Sequence, residues 1–239
     1  MAASRRIGSG LTSAAYARHR DRQQRFAYGY IGLIAPRAEV AEALGSARDR
    51  RCQSGVGPGV WFSLYMILSR ISRARAIGDL GRLGEARAEI ALGIDEARRN
   101  GVGFMLPMMD SWLADMHAKA GENERALSIV EGTLANIGDV TGRSWESELH
   151  RQRAQILVAL NPSKVREAES HLKKSIEVAR GQSARSLELR AATSLAELWR
   201  TQGRPDEARA LLEPICRWFD EGAETADLRR ARDAQSALH

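Results

Sequence analysis

The chain is short of the residue types that announce chemistry. Aromatic residues make up only 5% of it, and cysteine occurs twice among 239 residues. Runs of alternating β-branched and aromatic residues are nearly absent, which excludes a sheet-based fold. Cys52 and Cys216 are too few for a disulfide framework or a thiolate metal set. Cys216 falls on the apolar stripe of its segment and reads as a buried, reduced thiol. The histidines His19, His117, His150, His171 and His239 do not stand at ligand spacing from one another or from cysteine. Glu146 and Glu148 near His150 are polar residues on adjacent helical turns, not a metal set. There is no GxxxxGK[ST] phosphate loop, no GxSxG elbow and no glycine fingerprint following a strand. Gly57–Gly59 and Gly101–Gly103 read as turns. These absences predict a non-enzymatic protein with no catalytic residue, no cofactor and no metal. The apolar run Ala27–Ala35 is far too short to cross a bilayer. Arg5 and Arg6 are not followed by a signal-peptide core. A cytoplasmic protein without a membrane partner is expected.

Acidic charge is also scarce, but only at one end. Residues 1–60 hold ten arginines, no lysine and four acidic residues, so they carry the whole net charge of +6. The rest of the chain is neutral. A neutral body argues against a nucleic-acid groove along it. Residues 1–24 read as a basic, poorly ordered segment. Residues 25–60 read as a degenerate helical pair, 26–34 and 39–51, interrupted by Pro36. The Gly- and Pro-containing stretch 54–59 then marks a break.

What is abundant is Ala, Leu, Arg and Glu, a mix that favours helix. From Trp61 onward, helices are predicted over 61–79, 83–99, 104–119, 123–137, 145–160, 164–181, 186–201, 205–220 and 225–238. Gly81, Gly121 and Gly203 close the first helix of a pair, and Asn161-Pro162-Ser163 does so in the third pair. Ala86, Ala126, Ala168 and Ala208 recur near the start of each second helix, at spacings of 40, 42 and 40. Four residues on stand Ile90, Val130, Leu172 and Leu212; eight on stand Ile94, Leu134, Ile176 and Cys216. Eleven on stand Ala97, Ile137, Ala179 and Phe219. Offsets of 4, 8 and 11 trace one helical face. Ala74, Ala114 and Ala196 precede the second-helix alanine by twelve residues and Ala154 by fourteen, the two extra falling in the 161–164 turn. Paired small residues let the two helices of a hairpin approach closely. The units are about 61–100, 101–138, 143–182 and 184–221, followed by a cap over 225–238.

This arrangement resembles the tetratricopeptide repeat, a helix–turn–helix that stacks into a right-handed solenoid. Leu113 and Leu195 before the first-helix alanine match that pattern, as do Ile77, His117, Leu157 and Trp199 three residues after it. Arg73 and Arg153 stand where leucine is expected, no proline closes the second helices, and the period is nearer 40 than 34. Residues 145–160, 168–212 and 218–232 also resemble the C-terminal region of bacterial adenylate/guanylate cyclase–ATPase–repeat fusion proteins and related predicted-ATPase regulators. That resemblance implies a repeat region used for sensing or interaction, without the cyclase or NTPase module. The predicted fold is therefore an all-α, right-handed, TPR-like helical-hairpin solenoid with a C-terminal capping helix.

In such a solenoid the first helices line the concave side. The residues predicted to point into that groove are Arg75, Asp79, Asp115, Lys119, Glu148, Arg151, Gln155, Arg190, Glu197 and Arg200. A protein or peptide is the expected partner there, in a regulatory or scaffold role in bacterial signalling. Two other readings stand beside it: a nucleic-acid-associated protein using the Arg-rich N-terminal segment, or a remnant of a larger cyclase/ATPase regulator. The tryptophans Trp112, Trp145, Trp199 and Trp218 read as core, with Trp61 the best candidate for a partner-binding aromatic. Self-association, if present, is expected through the N-terminal end of the array.

Overall fold

The computed structural model describes residues 58–137, 142–219 and 225–238, with side chains from residue 65 onward. The helices expected over 26–34 and 39–51, the Arg-rich segment and Cys52 lie outside the described residues, as does the side chain of Trp61. Nine α-helices follow within them: α1 (Pro58–Asp79), α2 (Leu83–Arg99), α3 (Leu106–Lys119), α4 (Asn123–Ala135), α5 (Glu146–Leu160), α6 (Val165–Gly181), α7 (Arg185–Thr201), α8 (Pro205–Arg217) and α9 (Ala226–Ser236). No strand forms among the described residues. The chain is an all-α, TPR-like helical-hairpin solenoid, and each predicted helix from 61 onward forms with ends within a few residues of its expected ones.

Charge, more than side-chain capping, sets the helix ends. No side chain caps the N-terminus of α2, α4, α6, α7 or α8. Acidic residues stand in the first turn of each instead: Glu85, Glu124, Glu167, Glu188, and Asp206 with Glu207. Arg98, Lys119, Arg180, Arg200 and Arg217 stand in last turns. Both placements oppose the helix dipole. Gly81, Gly121 and Gly203 have φ of 82°, 80° and 73°, the left-handed conformation needed to reverse the chain within each hairpin. The third turn differs as expected. Pro162–Lys164 forms a short 3-10 turn, with Asn161 Oδ1 accepting from the Ser163 backbone N–H.

The alanine register forms the spine of the core. Ala74, Ala86, Ala114, Ala126, Ala168 and Ala208 are fully buried, and Ala154 and Ala196 nearly so. Ile90, Val130, Leu172 and Leu212 are buried behind them, each contributing roughly 1.5–3 kcal/mol relative to exposure. One turn further, Ile94 and Ile176 are buried, while Leu134 and Cys216 are half-buried. The expected full burial of Cys216 is therefore corrected. It lies in the last turn of α8, packed against the cluster that holds Leu212 and Leu228 without being enclosed by it. Of the tryptophans, Trp112, Trp145 and Trp199 are buried and Trp218 is half-buried, its indole edge-on to Phe219.

Each hairpin packs on the next. Trp112 of α3 meets Trp145 edge to face at 6.4 Å. The Gln152 amide donates to the Ser111 carbonyl at 3.0 Å, tying α5 to α3. Between α5 and α6, Ser147 Oγ donates to the Ser175 carbonyl (2.9 Å) and Ser175 Oγ to the Ser147 carbonyl (2.6 Å). The helix α9 lies against α7 and α8, where a further first helix would stand. It seats Leu228 and Ala231 on that hairpin, followed by Leu238.

The two arginines that replace the expected leucine enter ion pairs, Arg73 exposed and Arg153 half-buried. Arg73 Nη2 is 2.7 Å from Glu89 of α2. Arg153 Nη2 is 2.9 Å from Glu131 of α4 and 3.7 Å from Glu167 of α6. At these positions charge replaces an apolar contact: Glu89 and Glu167 pair within the arginine's own hairpin, and Glu131 ties the third hairpin to the second.

Candidate functional site: the first-helix face

Residues one before and one after each turn of the packing face follow one another across α1, α3, α5 and α7. The structure brings most of the predicted groove residues into two clusters. In the first, Lys119 Nζ is 3.0 Å from Asp115 and 3.4 Å from Asp79, linking α3 to α1. All three side chains are substantially exposed.

The second cluster is buried. Glu148 and Arg151 are 3% and 6% exposed. The guanidinium of Arg151 donates twice to the Glu148 carboxylate, Nη2 to Oε1 at 2.7 Å and Nε to Oε2 at 2.9 Å. Arg151 also donates to Gln155 Oε1 at 2.7 Å, and Gln155 Nε2 donates to Ser194 Oγ of α7 at 3.3 Å. Arg190 of α7 reaches Glu148 Oε1 at 2.8 Å. Burial by itself would raise the Glu148 carboxyl, but the charges of Arg151, Arg190 and Arg75 outweigh it and hold the group below its ordinary value. Arg151 is raised by Glu148 against its own burial, with Asp115 and Asp227 adding to the effect.

Arg75 joins the face differently. Its guanidinium lies 4.7 Å from the centre of the Trp112 ring, a cation–π distance. Glu197 pairs bidentately with Arg230 of α9, at 2.9 and 2.5 Å. Arg200 is exposed at the end of α7 and makes no ion pair among the described residues. Asp227 and Arg230 complete the face, with Asp227 3.7 Å from Arg190. Neither stands among the residues predicted for the groove. The signal that could have located them is the stacking of α9 on α7.

The sequence spacing also hid a histidine pair. His150 of α5 and His171 of α6 place their Nδ1 atoms 3.2 Å apart, with rings 18° from parallel. Their ring centres are 5.3 Å apart, which is the Nδ1 separation plus one ring radius at each end. The imidazoles therefore meet edge to edge in nearly one plane. One must donate and the other accept, so the facing nitrogens share a single proton. Burial first, then the proximity of His171, lowers His150 to about 4. Burial, followed by Arg153, also lowers His171. His117 is buried as a structural residue, with Nδ1 2.6 Å from Glu122 Oε2 and close to Arg87. Among the described residues no group of three or more His, Cys, Asp or Glu side chains is placed to hold a metal.

With this geometry in hand, the comparisons locate the fold among known proteins. The tetratricopeptide-repeat family model matches residues 67–91 and 189–214. Those matches fall on the first and fourth hairpins, the latter including the Ala196–Ala208 pair. Among solved structures, nearly identical TPR-like repeats from Podosopora anserina, described as kinesin light chain, align with a TM-score of 0.51. The alignment covers 71% of this chain and 83% of that one at 16% sequence identity. At that identity the likeness concerns the fold. No curated protein of matching sequence was found. No described helix is long and apolar enough to cross a membrane.

Proposed function

We propose that the chain is a non-enzymatic repeat module that binds a protein or peptide along the first-helix face. The observation that carries this reading is the arrangement of charge on that face. Buried Glu148 and Arg151 form a fixed polar floor, while Asp79, Lys119 and Arg200 stand exposed at the C-terminal ends of α1, α3 and α7. A buried ion pair adds little net stability compared with apolar residues. Its effect here is to hold charged groups at defined positions on an open surface, which suits an extended peptide carrying both signs. The tetratricopeptide-repeat matches support an interaction or scaffold role.

The finer setting, regulation in bacterial signalling, rests on the resemblance of residues 145–160, 168–212 and 218–232 to the repeat region of cyclase–ATPase fusion proteins. A nucleic-acid reading rests on the charge asymmetry, since residues 1–60 carry the net +6. Self-association through the N-terminal end belongs to the same segment.

The test compares partner capture by the native chain and by the double variant Lys119→Glu, Arg200→Glu. Proteins held by the first and lost from the second, at an unchanged unfolding midpoint, support the groove. Equal capture by both, or turnover of a small molecule, counts against it. Binding of nucleic acid that falls steeply with salt and disappears on removal of residues 1–57 supports the alternative.

A further inference from the structure

On the side of the second helices, the first two hairpins leave a cleft of about 670 Å³ between α2, α3 and α4. Its α3 wall carries Leu106, Asp110 and Leu113. Asp110 lies roughly 140° around the helix from Asp115 at 100° per residue, so this cleft is separate from the first-helix face. Ile94 of α2 and Ile129 of α4 supply the other apolar walls.

Gly132 lines this space on the α4 side. It lies inside α4, where glycine weakens a helix relative to alanine. Its backbone is not in the left-handed region, and a Cβ built there would meet nothing within 4 Å. Neither a turn nor a close approach requires the glycine. What it does is keep the cleft open at a position where a side chain would occupy it.

Asp110 shows what kind of group the space suits. It is half-buried and forms no ion pair among the described residues. Its Oδ2 is 3.1 Å from Thr133 Oγ1, but that hydroxyl is also 2.8 Å from the Ile129 carbonyl. A threonine hydroxyl has one proton and cannot serve both oxygens. Arg98 on the cleft rim acts on Asp110 only through space, and its Nη1 is 3.6 Å from Asp95. Burial raises the Asp110 carboxyl above its ordinary value, outweighing the Thr133 hydrogen bond and the Arg98 charge. A carboxylate left in that state gains from an added cation.

We propose that this cleft binds an alkylammonium or alkylguanidinium group, with the cation on Asp110 and the stem against Ile94, Leu106, Leu113 and Ile129. Such a group is carried by a free amine or by a lysine or arginine side chain of a partner. The proposal does not rest on the first-helix reading, and its failure would leave that reading untouched.

The experiment titrates the full chain with hexylammonium, with hexanol as the neutral control, and with the peptide acetyl-Leu-Lys-Leu-amide, by heteronuclear NMR. Hexylammonium or the peptide is expected to bind at least tenfold more tightly than hexanol. Asp110→Asn should abolish that preference. Gly132→Leu should abolish binding while keeping the helical spectrum and an unfolding midpoint no lower than that of the native chain. Ser128→Leu, exposed on the same wall, repeats the block if the first variant does not fold. Binding should also weaken on acidification, because a protonated Asp110 offers no charge to the cation. Binding of the amine alone assigns a free amine as the source, and binding of the peptide alone assigns a side chain. Binding of neither, equal binding of hexanol, or binding that survives both blocking variants overturns the proposal.

Discussion

Glu148 is the residue on which the first-helix face depends. It accepts from Arg151 and Arg190 while almost wholly removed from water. Glu148→Gln keeps the shape but leaves the buried Arg151 guanidinium without its counter-charge. Breaking a buried pair from one side costs about 3–5 kcal/mol, and urea unfolding should read a loss of that order. Replacing both partners, Glu148→Leu with Arg151→Met, should recover most of it, since apolar residues of similar volume often substitute for a buried pair at little cost. The acid limb gives a second readout. The folded Glu148 carboxyl lies below its unfolded value, so its contribution is complete well above the ordinary carboxylate range. As pH falls, the unfolded chain takes up the proton first, and the contribution is gone once the folded carboxyl is protonated too. Glu148→Gln should therefore flatten the acid loss of stability. An unchanged acid limb would show that Glu148 is not held down by its arginines. Helical register alone placed Glu148, Arg151, Gln155 and Arg190 on one face of successive helices, because a face follows from spacing. It could not distinguish buried from exposed members, nor detect His150 beside His171. Those depend on how neighbouring helices settle on one another, within a hairpin and between hairpins, which pattern within one helix does not encode.

At the scale of the element, two helical glycines with the same sequence appearance do opposite things. A Cβ on Gly78 of α1 would stand 2.4 Å from Met116 Sδ, and Met116 is itself buried in α3. Gly78→Ala should therefore displace the buried Met116 side chain, an overpacking that should cost about 1–3 kcal/mol and outweigh the helix propensity gained. Gly132→Ala meets open space and gains helix propensity, so it should stabilise the fold by about 1 kcal/mol. For a chain of this size each kcal/mol moves the thermal midpoint by roughly 2–4 °C, so calorimetry should show shifts of opposite sign. Shifts of the same sign would contradict the packing described for α1 and α3. The helices themselves were legible because composition, turn glycines and an alanine register all pointed the same way. The role of a particular glycine was not, since its meaning lies in the neighbouring helix. Arg73 and Arg153 make the same point. Read as departures from an apolar pattern, they turn out to tie helix to helix, through Glu89 and Glu167 within a hairpin and through Glu131 between two.

At the scale of the whole molecule, a solenoid has no single centre, and each hairpin depends on what covers its open face. The repeat period made the stacking legible in the sequence, because a hairpin whose apolar face recurs four times must bury it on a copy of itself. The cap was legible from its change of pattern, but its registration was not. The structure places Leu228, Ala231 and Leu238 over α7 and α8, with Arg230 fastened to Glu197 and Arg209 donating to the Leu238 carbonyl. Removing residues 225–239 would expose the apolar side of the fourth hairpin, including the faces of Leu195, Leu212 and Ile215, which pack in the same cluster. Two consequences should follow together. The thermal midpoint should fall, because burial of those residues is lost on one side. The truncated chain should also associate with rising concentration, since an uncapped solenoid end offers an apolar surface to another copy. Light scattering and calorimetry across a concentration series would separate the two effects. A truncated chain that keeps both the midpoint and the concentration behaviour of the full chain would mean that α9 rests on the array without closing it. Its contacts to Arg190 and Glu197 would then belong to the first-helix face rather than to the stability of the solenoid.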